Sequence, residues 1–392
     1  MSSMTQAAEP IRAVVGGRVV TPDSVLSGGV RIEGDRIVDV GDIDAFDDAD
    51  TVIDADGRLI VPGLIDLHGD DIERHLFPRS GARMDTDVAL ASADRATISA
   101  GITTKFHAIS FEHDAEENRS PELATRLTDA ITDTDDLLAD HRLHARCEVT
   151  QRRSVEAVLS VIDRREADLV SVMSHIPGKG QFRDVEAFME YYREADDRTL
   201  EEAETLIAER SSLSMATLRE RVDRVIEAAH NAGAITASHD DENPEEIHRL
   251  DAAGVDVSEY PITLETARAA AETGMTTAMG APNLVRGESQ WGNLETATAI
   301  DAGVLDVLVA DYHPPSLLSA AFVDTGESLP RRFRRITTAP ADAAGLSDRG
   351  RIEPGTRADL LVVDPDPAPT VARALVAGQP VYRADPTVGG DQ

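Results

Sequence analysis

Histidine and carboxylate side chains follow apolar runs at several points in this chain, and such side chains are ligands for divalent metals. The first apolar run, at residues 61–67, stops at His68-Gly69-Asp70. Neutral imidazole and ionised carboxylate groups suit Zn, Mn, Fe or Ni. Alone, each residue is also compatible with a hydrogen-bonded core histidine or a surface ion pair. Their repeated placement at the ends of apolar runs favours a metal site. The candidate ligands are His68, Asp70, Glu148, His175, His239 and Asp311.

The segment from residue 63 to 345 alternates short apolar runs with amphipathic stretches that are typical of helices. Eight strands with helical crossovers over this length predict a (β/α)8 barrel. A doubly wound open sheet is the alternative, but no Gly-x-Gly-x-x-Gly follows the first strand. In both folds, chemistry gathers at the carboxyl ends of parallel strands, where the candidate ligands lie. The predicted strands are residues 64–67, 103–109, 143–148, 169–173, 234–238, 257–259, 276–279 and 307–310.

Both ends of the chain carry short strand-like runs separated by turn residues. The glycine pairs at 16–17 and 28–29 predict turns between separate strands, and residues 350–355 predict a strand near the C-terminus. Because the N-terminal runs are too few to close a core, we expect one small composite β-sandwich from residues 11–62 plus 346–384. Residues 63–345 would form the catalytic barrel. A helical insertion at about 183–214 would be either a lid or a solvated helical pair.

The composition is strongly acidic. The 392 residues carry a formal net charge of −34, and lysine occurs only at positions 105 and 179. Such a lysine-poor, acidic composition resembles that of proteins from salt-loving organisms. It lacks the basic footprint that nucleic acids or anionic membranes require. No secretory signal or long apolar run is visible, so we expect a cytoplasmic protein. The single cysteine, Cys147, excludes an internal disulfide and a cysteine zinc cluster.

Six motifs carry a resemblance to a known family. They are Pro62-Gly63-Leu64-Ile65-Asp66-Leu67-His68-Gly69-Asp70, His175-Ile176-Pro177-Gly178-Lys179-Gly180-Gln181-Phe182, Met279-Gly280-Ala281-Pro282-Asn283-Leu284-Val285-Arg286-Gly287, and residues 101–104, 237–241 and 310–312. With them, nearly the whole chain resembles the amidohydrolase superfamily. The second and third motifs resemble its diphosphatase branch, which acts on alpha-D-ribose 1-methylphosphonate 5-triphosphate in the carbon-phosphorus lyase pathway.

The resemblance implies a metal-dependent barrel hydrolase in which two divalent ions share a water and lower its pKa towards roughly 7. Asp311 would orient that water and accept its proton. Most amidohydrolases end the first strand in His-x-His, and a carboxylated lysine often bridges their metals. This chain has His68-Gly69-Asp70 and Glu148 in these places. The implied products are the ribose 5-phosphate and pyrophosphate, and hydrolysis of a cyclic amide or deamination with the same metals is the alternative.

A phosphorylated ribose entering so acidic a protein needs local cations. Lys179, in a glycine-rich turn, and Arg286 are the predicted phosphate contacts, and a solvated surface cation is the alternative for each. Their motifs also contain Gln181 and Asn283, which the resemblance implies as substrate-binding residues. The expected partner is therefore a small phosphorylated molecule. A homodimer and a monomer are both left open by the sequence.

Overall fold

A computed structural model describes residues 10–41, 49–114, 118–175, 213–289 and 292–384. Two eight-stranded sheets organise these residues. One sheet is parallel and comes from the middle of the chain, and the other is largely antiparallel and comes from both ends. The insertion predicted at 183–214 lies outside the described residues, except for positions 213 and 214. Among the described residues, no helix combines the length and the apolar character needed to cross a membrane.

The first five strands belong to the sheet built from both chain ends. The predicted break at Gly16-Gly17 is wrong, because one strand continues through it. Its register against the next strand shifts between Val14 and Gly17, and Gly16 has a φ of 69°, so a bulge bends the strand without ending it. The break predicted at Gly28-Gly29 is also wrong, since both residues lie within the second strand. The strands are β1 (Ile11–Val20), β2 (Val25–Glu33), β3 (Arg36–Gly41), β4 (Thr51–Asp54) and β5 (Leu59–Pro62).

The next eight strands form the parallel sheet in their order along the chain, which confirms the predicted (β/α)8 architecture. Its first and last strands meet at a bridge between Gly69 and Asp311. There Asp70 N donates to Asp311 O and Asp311 N donates to His68 O, both at 2.8 Å. The barrel therefore closes beside three of the predicted ligands. The strands are β6 (Leu64–Gly69), β7 (Ile102–Ser110), β8 (Asp140–Glu148), β9 (Leu169–Met173), β10 (Ile235–His239), β11 (Val257–Glu259), β12 (Thr276–Gly280) and β13 (Val307–Val309).

Local capping fixes where many of the helices begin and end. The Ser120 and Asn243 side chains accept from backbone N–H groups of the first turn, and Gly233 ends its helix with a φ of 82°. The helices in the described part are α1 (Ile72–Leu76), α2 (Thr86–Ser99), α3 (Pro121–Asp133), α4 (Arg152–Asp163), α5 (Met215–Ala232), α6 (Pro244–Ala252), α7 (Leu264–Thr273), α8 (Ala281–Arg286), α9 (Thr296–Asp301), α10 (Pro315–Ala320), α11 (Leu329–Arg334) and α12 (Thr338–Ala343).

The C-terminal strands β14 (Leu360–Asp364), β15 (Thr370–Val376) and β16 (Gln379–Arg383) return to the N-terminal sheet, where β14 pairs antiparallel with β5. Buried residues from both chain ends share one apolar core, as Val14 and Leu360 illustrate. The strand predicted at 350–355 is wrong, since these residues form turns and bends. The domain boundaries predicted at 62 and 346 remain a prediction.

Candidate active site

Strand β8 separates an apolar exterior from a polar interior. Leu143, Ala145 and Cys147 are buried among residues of the surrounding helices. Side chains alternate between the two faces of a strand, so the residues between them face the barrel interior. The inward residues at the carboxyl half of β8 are His144, Arg146 and Glu148. This alternation brings an imidazole, a guanidinium and a carboxylate to one wall of the barrel.

Glu259, the last residue of β11, connects the histidines of three other strands. His68 Nδ1 lies 3.1 Å from Glu259 Oε1, and His239 Nδ1 lies 3.3 Å from Oε2. His144 Nε2 lies 3.9 Å from the same carboxylate. The rings of His68 and His239 stack with centroids 5.5 Å apart. Glu259 is fully buried, so the interior of the barrel holds a carboxylate surrounded by imidazoles.

The predicted ligands fall into two groups. In the first, ligand atoms of His68, Asp70 and Asp311 lie within 4.8 Å of one another, at the seam where the barrel closes. In the second, Glu148 and His175 meet together with Glu112, within the same distance. His175 Nδ1 lies 2.8 Å from Glu148 Oε2, and Thr150 N donates to Glu148 Oε1 at 3.1 Å. His239 is linked to the first group through Glu259.

Two arginines hold the Asp70 carboxylate. Arg146 Nη1 donates to Oδ2 at 2.6 Å, and Arg119 Nη2 lies 3.1 and 3.3 Å from the two oxygens. Burial would raise the pKa of Asp70, but the charges of Arg119 and Arg146 outweigh it and lower the pKa below its usual range. Asp70 is therefore ionised at neutral pH. Oδ2 accepts from both arginines, whereas Oδ1 accepts from Arg119 alone in these contacts, so a lone pair of Oδ1 can still bind a cation.

Three buried histidines of the site, His68, His144 and His239, are neutral at physiological pH. Burial lowers the pKa of His68 to about 3, and the nearby Arg146 charge adds to the effect. Burial likewise lowers the pKa of His144 to about 3 and that of His239 to about 4. Neutral imidazole is the form that binds metals. Imidazole nitrogens and carboxylate oxygens together are a donor set for divalent first-row metals, so the residues present fit such ions.

Asp311 combines an unusual backbone conformation with an unusual acidity. Its φ is 54°, in the left-handed region, and Asp240 and Tyr260 just after β10 and β11 have φ values of 57° and 55°. Backbone strain of this kind concentrates at functional sites. Burial and the charge of Asp70 raise the pKa of Asp311 to about 7. A carboxylate with this pKa can exchange a proton near neutral pH.

The predicted substrate contacts are only partly described. Arg286 ends α8, and its guanidinium lies 3.5 Å from the Tyr312 hydroxyl and 3.1 Å from Glu288. Asn283 is one turn earlier on α8, and its backbone oxygen accepts from Gly287 N at 3.0 Å. Lys179 and Gln181 lie outside the described residues. The roles of all four residues remain predictions.

The similarity to known proteins agrees with this geometry. No family profile matches the chain. The alpha-D-ribose 1-methylphosphonate 5-triphosphate diphosphatase of Escherichia coli is 33% identical over 359 residues, which cover 88% of this chain and 93% of that protein. This chain belongs to the same diphosphatase family, within the amidohydrolase superfamily. A further relative, a dihydroorotase of Bacillus licheniformis, is 51% identical over 39 residues, 10% of this chain and 9% of that protein.

Solved structures support the barrel of this diphosphatase family member. A Xaa-Pro dipeptidase with bound methionine has a TM-score of 0.64 and 17% identity, with 95% of this chain and 100% of that chain covered. A dihydropyrimidinase from Brevibacillus agri has a TM-score of 0.62 and 15% identity, with 95% of each chain covered. At these identities the likeness shows the fold alone.

Sequence reasoning missed several interior residues of this diphosphatase family member. Glu259 stands at the end of a predicted strand, like the predicted ligands, and that position was a usable signal. His144 and Arg146 precede Glu148 at two-residue spacing, a pattern that indicates one strand face. Arg119 gave no such signal, because it follows no strand and reaches Asp70 only through the tertiary fold.

Proposed function

We propose that this protein is a metal-dependent hydrolase that cleaves alpha-D-ribose 1-methylphosphonate 5-triphosphate to the 5-phosphate and pyrophosphate during phosphonate catabolism. The observation that carries the proposal is the similarity to the Escherichia coli diphosphatase over nearly the full length of both proteins. The imidazole and carboxylate groups at the carboxyl end of the barrel support it chemically. A phosphorylated small molecule is the substrate class consistent with both.

We assign the metal ligands to the two groups of side chains at this end of the barrel. His68, Asp70 and Asp311 would hold one divalent ion, and Glu148 with His175 would hold a second. His239 is the sixth proposed ligand, and Glu259 connects it to His68 of the first group. When bound, Zn, Mn, Fe or Ni would make water more acidic and offset phosphoryl charge. The proposal is therefore that the site binds two divalent ions and not one.

Asp311 is the proposed proton acceptor. A water oxygen forms a bond to the phosphorus nearest the ribose, and the bond from that phosphorus to the bridging oxygen breaks. The electron pair of the broken bond leaves with pyrophosphate, and the Asp311 carboxylate takes up the water proton. In the metal-free protein, burial and the charge of Asp70 raise the pKa of Asp311 to about 7, and a bound divalent ion would lower it, which would keep the carboxylate ionised and able to accept the proton.

Contacts to the phosphates are proposed for Lys179, Gln181, Asn283 and Arg286. Arg286 lies at the carboxyl end of the barrel, three residues after Asn283 on α8, which supports the assignment for this pair. A guanidinium group can donate two parallel hydrogen bonds to phosphate oxygens. The positive charges of Lys179 and Arg286 distinguish the diphosphatase from the second candidate, a cyclic amidohydrolase or deaminase, whose substrate does not require a cationic pocket.

A substrate panel tests the proposal. Purified protein would be loaded separately with Zn, Mn, Fe or Ni and assayed at low and high salt, with phosphorus NMR to identify products. The panel would contain the methylphosphonate ribose triphosphate, a nucleoside triphosphate and a cyclic amide. We expect pyrophosphate from the first compound and loss of activity after chelation. Absence of pyrophosphate with every metal, or turnover of the cyclic amide alone, contradicts the proposal.

A further inference from the structure

A cavity of ≈ 690 Å³ opens beside the first group of candidate ligands. Asp70 and Asp311 form part of its wall, so it is continuous with the proposed reaction centre. Its remaining lining combines three guanidinium groups with one carboxyl group and one phenol. These lining residues are Glu73, Arg74, Arg119, Arg286 and Tyr312. The complete lining therefore sets three arginines against three carboxyl groups, in a chain whose formal net charge is −34.

Tyr312 holds two of these arginines at the cavity. Arg74 Nη1 donates to the Tyr312 backbone oxygen at 3.0 Å, and the Arg74 guanidinium lies 5.4 Å from the centre of the tyrosine ring. Arg286 Nη1 donates to the Tyr312 hydroxyl at 3.5 Å. Within the described ranges, the contacts of the Arg74 guanidinium are those with Tyr312, and none is an ion pair. Its guanidinium is oriented by a neutral partner, so its charge is available to a ligand.

A second cavity borders the other group of candidate ligands and is more acidic than the first. It has a volume of ≈ 240 Å³ and includes His175 and His239 in its lining. Among the residues the structure describes there, two arginines face four carboxyl groups. The charged lining residues are Arg219, Arg249, Asp240, Glu242, Glu245 and Glu246. Of the two cavities, the one around Tyr312 is therefore the better match for a polyanion.

We propose that Arg74 and Arg286, held on either side of Tyr312, form the subsite for the two phosphoryl groups that leave as pyrophosphate. This assignment rests on the proposed diphosphatase function and adds Arg74 and Tyr312 to its substrate contacts. Each guanidinium can make two parallel hydrogen bonds to phosphate oxygens. The ribose would then extend from the reaction centre away from the arginine cavity. The substrate class is a chain of at least two phosphoryl groups, rather than a single phosphate.

Inorganic pyrophosphate is the direct probe of this subsite. Its dissociation constant for the metal-loaded protein would be measured by calorimetry for the wild type, Arg74→Ala, Arg286→Ala and Arg74→Lys. We expect each alanine variant to weaken pyrophosphate binding about tenfold, the range for a charge-assisted hydrogen bond at a solvent-accessible site. Arg74→Lys should restore part of the pyrophosphate affinity, because lysine restores the positive charge but cannot make the two parallel hydrogen bonds of a guanidinium. The 5-phosphate product should bind all variants equally.

Arg164→Ala is the matched control. Arg164 follows the end of α4, its side chain is 39% exposed against 41% for Arg286, and it also pairs with carboxylates, those of Asp129 and Glu166. We expect pyrophosphate affinity in this variant to match the wild type. Tyr312→Phe should weaken pyrophosphate binding a few-fold. This change removes the hydroxyl that Arg286 contacts, but it keeps the ring and the backbone oxygen that hold Arg74.

The outcomes separate this subsite from the reaction itself. Equal pyrophosphate affinity in the wild type and Arg74→Ala, or no binding by the wild type, overturns the assignment. An equal loss of affinity for both products also overturns it, because that result indicates a general structural role. If pyrophosphate binding depends on Arg74 and Arg286 while the ribose triphosphate is not hydrolysed, the anion site stands and the proposed function falls.

Discussion

Replacement of Gly69 by alanine should destabilise this protein, although the same change usually stabilises a strand. Gly69 lies in β6 between His68 and Asp70, and an added Cβ would overlap the Cε of Lys105. The same Cβ would lie 2.9 Å from Asp66 Oδ2 and 3.3 Å from Lys105 Nζ. Lys105 has no exposed surface, forms an ion pair with buried Asp71, and lies 3.4 Å from Thr97 Oγ1. A shift of its side chain away from the added Cβ would therefore disturb the buried ion pair with Asp71.

The sign of the effect distinguishes steric overlap from backbone propensity. Gly69 has no left-handed φ, so alanine would otherwise gain roughly 0.5–1 kcal/mol from lower unfolded-state entropy. Overpacking a filled interior costs roughly 1–3 kcal/mol, and displacing Lys105 from Asp71 adds to that cost. We therefore expect Gly69→Ala to lower the free energy of unfolding by about 2 kcal/mol.

Urea unfolding of the metal-free protein measures this effect, with a shift of the midpoint at unchanged slope. Gly41→Ala is the control, because Gly41 also lacks a left-handed φ and no described atom lies within 4 Å of its added Cβ. Gly41→Ala should leave the free energy of unfolding unchanged or raise it. In a Lys105→Ala background, the penalty of Gly69→Ala should shrink by at least about 1 kcal/mol, since the overlapping Cε is gone. A stabilising Gly69→Ala, or additive effects in the double variant, would refute the reasoning.

Three further predictions concern the site. Glu259→Gln should lower metal affinity roughly 10–100-fold, measured as bound metal after dialysis, because the carboxylate contacts His68 and His239. Asp311→Asn should lower kcat by roughly 10²–10⁴, the contribution of a general base. Burial and the charge of Glu246 raise the pKa of Asp241 to about 7, so the folded state binds a proton that the unfolded state releases near pH 4. Metal-free wild type should therefore lose stability relative to Asp241→Asn as pH rises from about 4 through 7, measured by urea midpoints at several pH values.

Each of these predictions has a result that would contradict it, and the first also has a control variant. The exposed Glu265 supplies Glu265→Gln, which should retain wild-type metal content, and an unchanged content in Glu259→Gln would contradict the first prediction. A fall in kcat of less than tenfold would remove Asp311 from the proton transfer. Asp241 accepts from Ser238 and Ser258, and an asparagine oxygen can accept in the same way. A pH-independent difference between wild type and Asp241→Asn would therefore exclude the proposed titration.

The barrel strands were predictable because each is a short apolar run with its own turn signals. The structure extends the predicted runs at 103–109 and 143–148 by a few residues, and the run at 257–259 is β11 without change. The turns predicted at the glycine pairs were wrong, and at the first pair the reason is that Gly16 produces a bulge and not a turn. The sequence pattern alone does not distinguish these two outcomes, since both use the same backbone conformation.

The sequence by itself determined the parallel barrel, the ends of its strands and the imidazole and carboxylate groups that follow them, because strand period and turn chemistry are local. Only the tertiary structure decided which groups meet. Arg119 and Arg146 reach Asp70 across 49 and 76 residues, and Glu259 reaches His68 across 191. Arg74 and Arg286 come together only at Tyr312. Such contacts depend on barrel closure and helix placement, which no local pattern in the sequence encodes.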